Sequence, residues 1–315
     1  MRRALLFALL VLASCSPGDT ADSSTTSSSS TSTSVSTSTT QATTTTLATT
    51  TTLATTTTSQ ETTTTPSVAG DWADEPLVTT DFGALGWWDG TDWLSAEDEG
   101  ALPVVGGEDY QVIRIGVLAT TSGGPQVTVC EPLNLIGVEL ESPELLGAFP
   151  GPYGVAISAS WELQPHLFEP VVDDGTYAGF AKDFLASRGM NVPNPVIKQL
   201  FRTDLEGDGV NEVVFVAEDV SPGYLLEVGD YSVALMRKVV QAEVQTAVLG
   251  ETVVLGDDQQ FEGGFTIGAV ADLNGDQKME LVTNGAFFEG FAVTIWEYVN
   301  DDLGLVAILE TGCGS

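Results

Sequence analysis

The nine residues Asp204-Leu205-Glu206-Gly207-Asp208-Gly209-Val210-Asn211-Glu212 recur in altered form as Asp272-Leu273-Asn274-Gly275-Asp276-Gln277-Lys278-Met279-Glu280. Each copy sets oxygen-bearing side chains at positions 1, 3, 5 and 9 of a tight loop. Apolar runs too short for helices flank both copies. Residues 196–201 lead into the first and 213–216 lead out of it; residues 267–270 and 281–282 do the same for the second. Short β-branched runs bounded by Gly and Asp read as strands. A strand–acidic loop–strand unit used twice therefore commits the second half of the chain to antiparallel β structure.

A hard cation such as calcium takes about six to eight oxygen ligands, supplied by side chains at alternate loop positions and by a backbone carbonyl. The first loop offers Asp204, Glu206, Asp208, the carbonyl of Val210, and Glu212. The second offers Asp272, Asn274, Asp276, the carbonyl of Lys278, and Glu280. Strands on both sides exclude an EF-hand, which needs flanking helices. The unit resembles the FG-GAP repeat of integrin-type propellers and the related bacterial VCBS-type repeat, over roughly residues 195–315. That resemblance implies four-stranded, propeller-blade-like repeats with calcium as the bound ion. Two departures stand out: Glu206 replaces the usual Asp or Asn, and Gln277 replaces the turn glycine, so the second loop is expected to be strained. With Gly209 and one more acid, the first loop is expected to hold calcium better. The alternative is a pair of acidic surface turns without metal.

Behind each loop come two more strand candidates, 232–240 and 244–255 for the first, 291–299 and 303–309 for the second. Four strands per unit is a propeller blade's count. Upstream, Asp89-Gly90 signals a hairpin between Trp87-Trp88 and Trp93, and Asp89-Gly90-Thr91-Asp92-Trp93 resembles the structural Asp-box hairpin of sialidase-type propellers. The tryptophans pack this hairpin onto a core or, alternatively, form a sugar-stacking platform. Residues 111–117 and 154–163 alternate as strands, and Ser122-Gly123-Gly124-Pro125 is expected to turn the chain. The convincing helix after the N-terminal region is Tyr177 to Arg188, with Tyr177, Phe180, Ala181, Phe184 and Leu185 on one face and Thr176 as its cap. The expected fold is all-β with one short helix: an N-terminal β domain over 68–175, a helix and connector over 176–195, and the repeat region over 196–315.

The N-terminus carries different information. Arg2 and Arg3 precede an apolar run ending in Leu12-Ala13-Ser14-Cys15. That run is too short to remain as a membrane span, and residues 1–15 resemble a bacterial lipoprotein signal. By that resemblance Cys15 is lipidated and anchors the chain to the membrane. Residues 16–67 are nearly all Thr and Ser, a composition that buries no core and reads as a disordered tether of about 150 Å when extended. Beyond Cys15 the chain holds two cysteines, Cys130 and Cys313, which are expected to be joined outside the cytoplasm.

A formal net charge of −34 repels nucleic acid and anionic headgroups and gathers divalent cations. The one histidine, His166, has no Gly-x-Ser-x-Gly elbow or other nucleophile signal to pair with. No catalytic residue is assigned. The reading is a surface-anchored, non-catalytic module that binds protein or glycan. Its alternatives are an extracellular polysaccharide hydrolase or lyase, and a structural envelope protein.

Overall fold

The computed structural model describes residues 73, 75–148, 151–166, 168–172, 175–222, 225–256, 262–287, 290–298 and 305–314. The expected signal, the tether and Cys15 lie outside them. The described residues belong to one compact unit.

The first half builds a seven-stranded sheet. Its members are β1 (Leu77–Thr79), β2 (Ala84–Trp88), β3 (Trp93–Ser95), β4 (Asp109–Arg114), β5 (Val117–Val129), β6 (Leu135–Leu140) and β7 (Val155–Ile157), in the order β3-β2-β1-β7-β4-β5-β6. A one-turn helix, α1 (Ala96–Glu99), follows β3. The β2–β3 hairpin forms at Asp89, whose Oδ1 accepts from the N–H groups of Thr91 and Asp92. Trp87 is buried, and Trp88 and Trp93 meet edge to face with ring centroids 5.4 Å apart.

Three strand expectations are corrected here. The strand read over 111–117 stops at Arg114, because Ile115-Gly116 is a two-residue turn with Gly116 at φ +77°. Ser122-Gly123-Gly124-Pro125 does not reverse the chain but lies within β5, where the register to β6 slips. The regular strand within 154–163 is only Val155–Ile157. Beyond it, the carbonyls of Ala159 and Trp161 are taken by the side-chain amide of Gln111.

The second half begins with β8 (Phe168–Pro170) and the helix α2 (Gly175–Ser187). The helix starts before Thr176, which therefore lies inside it rather than capping it. Next come β9 (Ile197–Thr203), β10 (Glu212–Asp219), β11 (Tyr231–Val240) and β12 (Glu243–Val253), a meander that with β8 makes the sheet β12-β11-β10-β9-β8. The second meander is β13 (Glu262–Ala271), β14 (Glu280–Phe287), β15 (Gly290–Tyr298) and β16 (Leu305–Gly314), ordered β13-β14-β15-β16. Each repeat thus forms its four antiparallel strands, with the acidic loop between the first two. Among the described residues the fold is mostly β, and the sheets close no barrel.

Layering follows from the alternation of side chains along each strand. On β10, Val214 and Val216 face the second meander, whereas Phe215 and Ala217 face Ala181 and Leu185 of α2. On β14, Leu281 joins the core shared with the first meander, and Val282 joins the core shared with the seven-stranded sheet. The first five residues of β14 are therefore buried whichever face they point to. One core joins Leu77, Ile113 and Ile157 to Ala269, Val282 and Leu309, so packing is continuous across the expected boundary at 176–195.

Two devices fix the layers. Gln199 on β9 both donates to the carbonyl of Ile267 (2.9 Å) and accepts from its N–H (2.8 Å), acting as a strand partner. At the adjoining bulge, the Gly268 carbonyl accepts from the N–H of Ile115 at 2.7 Å. A side chain at 268 would collide with the carbonyl of Tyr153, so the approach requires glycine. Cys130 and Cys313 are disulfide-bonded across the layers, with Cα atoms 5.7 Å apart and a sequence separation of 183. By chain-entropy reasoning, a closure that long stabilises by up to about 5 kcal/mol.

Candidate functional site

The two acidic loops lie side by side. The N–H of Met279 donates to the carbonyl of Leu205 at 2.7 Å, linking them directly. The chain from Trp161 to His166 packs over both. Trp161 Nε1 donates to the Asp272 carbonyl (2.8 Å), Leu163 accepts from the Asp272 N–H (2.8 Å), and His166 Nε2 lies 2.6 Å from the Gln277 carbonyl. A carbonyl only accepts, so His166 is the donor. Its ring also fills the space a side chain on Gly207 would need. Nothing local in the sequence marked His166 as a brace between the loops.

In each loop the first carboxylate gathers backbone N–H groups of its own turn. Asp204 accepts from Asp208 (3.1 Å) and Gly209 (2.9 Å); Asp272 accepts from Gly275 (2.7 Å) and Gln277 (3.0 Å). The fifth position also matches, since Asp208 accepts from Val210 and Asp276 from Lys278. At the ninth, buried Glu212 and Glu280 accept from the N–H of Leu205 and Leu273. At the sixth, Gly209 adopts φ +81°, and Gln277 is forced into the same left-handed region at φ +70°. The strain expected at Gln277 is therefore present.

The loops differ further at position 3 and at one position of the third strand. Val213 pairs with Arg237 on β11, and the corresponding Leu281 pairs with Trp296 on β15. The next residues, Lys238 and Glu297, therefore occupy equivalent positions. In the first repeat Lys238 is buried and ion-paired with Glu206, and its Nζ lies 3.4 Å from Glu212 Oε1 and 4.0 Å from Asp208 Oδ2. In the second, Asn274 Nδ2 donates to Glu297 Oε1 at 3.2 Å, and Lys278 is exposed. The first repeat thus pairs Glu with Lys where the second pairs Asn with Glu.

Electrostatics follow from these neighbours. Burial pushes the Glu212 carboxyl up to about 7, with Asp208 and Asp204 adding to the push; the Leu205 N–H it accepts from opposes it. Burial raises Glu280 well above the usual carboxylate range, with Asp276, Asp272 and Glu297 adding to it. Asp272 and Glu297 are likewise raised by burial. The second loop therefore crowds buried carboxylates together without a buried ammonium among them. Its donors are all oxygens, the set a hard cation takes.

Among the described residues, no three His, Cys, Asp or Glu side chains converge as a ready metal ligand set. The second loop offers oxygen donors and a surplus of negative charge, with its carboxylates turned onto their own amides. In the first, the Lys238 ammonium stands among the acids. Elsewhere, a groove is lined by Glu97, Leu133, Ile136 and Glu310, with no tryptophan among its walls. No helix among the described residues is long and apolar enough to cross a membrane. Compared with family models, curated proteins and solved structures, the chain matches none.

Proposed function

We propose that this chain is a lipid-anchored cell-surface protein whose β region is a non-catalytic binding module, with calcium held by the second acidic loop. The observation that carries the reading is the repeat itself. Two loops with the same amide-gathering carboxylates sit between equivalent strands of two four-stranded meanders. The strong acidity, the Cys15 lipobox and the Thr/Ser tether support an outward-facing position. Asp272, Asn274, Asp276, the Lys278 carbonyl and Glu280 would supply oxygen ligands, with Glu297 as a further carboxylate beside them. The ion would neutralise this acidic turn and hold its shape.

The chain's one imidazole already has a structural use. His166 spends its Nε2 proton on the Gln277 carbonyl, bracing the loops. The test is incubation of the full-length protein with arrays of surface glycans and with intact envelope material, in calcium and in EDTA. Calcium-dependent retention without shortening of any glycan supports the reading. Release of shortened oligosaccharides would replace it with the hydrolase or lyase alternative.

A further inference from the structure

The Lys238 side chain crosses from the third strand of the first repeat into the acidic loop between its first two strands. It is only 5% exposed. Its ammonium is ion-paired with Glu206, lies 3.4 Å from Glu212 Oε1 and 4.0 Å from Asp208 Oδ2, and sits 4.6 Å from the ring centroid of Tyr298. Glu206 Oε2 and Glu212 Oε1 are buried and are met by no other hydrogen-bond donor among the described residues. Both face this ammonium. Loop positions 3, 5 and 9 thus direct carboxylates at one nitrogen, as they would at a metal ion.

The geometry points to Lys238 as the resident cation of the first loop, standing in for the divalent ion, so that this loop takes no calcium and the second is the one metal site. A buried ammonium and a calcium ion among the same carboxylates would repel each other at close range. Binding there would require Lys238 to leave a buried position. Position 3 is matched to the exchange. The extra methylene of Glu206 lets its carboxylate reach the ammonium, whereas Asn274 is shorter, uncharged, and paired with Glu297. Where Lys238 brings a positive charge, the equivalent Glu297 brings a negative one, so the two loops have opposite needs. The second half of this inference rests on the calcium reading above; the assignment of Lys238 does not.

Calorimetric titration of the full-length protein with calcium chloride tests both parts. Wild type should take one equivalent, Asp276→Ala should lose it, and Asp208→Asn should keep it. Lys238→Met should gain a second equivalent. In EDTA, Lys238→Met should melt several degrees below wild type, and adding Glu206→Gln should recover part of the loss by removing an unpaired buried charge. Two equivalents in wild type, one of them lost in Asp208→Asn, would overturn the assignment of Lys238 while leaving the second loop as a calcium site. An absence of calcium binding in wild type would sink the calcium reading alone, provided Lys238→Met still lowers the melting temperature in EDTA. An unchanged melting temperature in that variant would overturn the assignment. Should Lys238→Met fail to fold, the comparison of wild type with Asp208→Asn still decides.

Discussion

At the sixth position of the second loop, a glutamine does the work that glycine does in the first. Its φ of +70° costs an L-residue about 1–2 kcal/mol relative to glycine. Part of that is returned by the greater freedom of glycine in the unfolded chain. Gln277→Gly should therefore raise stability by up to about 1 kcal/mol, measured by urea unfolding in EDTA; a loss would mean that the glutamine side chain makes a contact worth more than the strain. Asp81 makes a different prediction. Asp81 is an exposed residue, so the effect there is small: partial burial of its carboxyl raises it above the ordinary value of 3.8, with the Tyr153 hydroxyl it accepts from holding it down. The folded protein then binds the Asp81 proton more tightly than the unfolded chain, so stability falls as pH rises from about 4 and the deficit persists above the folded value. Asp81→Asn removes the ionisation but keeps an acceptor for Tyr153. Relative to wild type, this variant should gain stability between pH 4 and neutrality, and a constant difference across that range would refute the assignment.

The elements show what a local sequence reading reaches. The eight strands of the two meanders were legible because short apolar runs alternate with strong turn chemistry, and the acidic loops mark where each repeat starts. The helix was legible from its apolar spacing, although Phe180, read as part of the buried face, is 38% exposed beneath the guanidinium of Arg237. Ile115-Gly116 was missed because β-branched Ile115 continues the strand pattern, and the turn rests on one glycine. Gly123-Gly124-Pro125 gave a true break signal, but neighbouring strands on both sides hold the segment as a bulge. Lys238 and Glu297 could not be assigned to the loops, since their place there depends on strand pairing far along the chain. Burial on both faces makes β14 sensitive to truncation. Leu281→Ala should cost about 2–5 kcal/mol, whereas removing the exposed Val244 side chain should cost little, as paired denaturant titrations would show. Similar losses at both positions would contradict the layered core.

At the scale of the whole molecule, the proposed lipid anchor and polar tether would present the layered β region at a surface. Cys15→Ser should move the exported protein from the detergent-rich to the aqueous phase on detergent partitioning; equal partitioning of both forms would remove the anchor from the account. The central claim is that a divalent cation completes the second acidic loop and thereby stabilises the folded region. Extracellular calcium modules bind at roughly 0.1–1 mM, so about 5 mM calcium should add on the order of 1–2 kcal/mol by mass action. For a folded region of this size that is a rise of a few degrees. The decisive measurement is the melting temperature of the full-length protein in calcium and in EDTA, for wild type, Asp276→Ala and Asp208→Ala. The account predicts a rise with calcium in wild type and in Asp208→Ala, and none in Asp276→Ala. A wild-type melting temperature indifferent to calcium would contradict it.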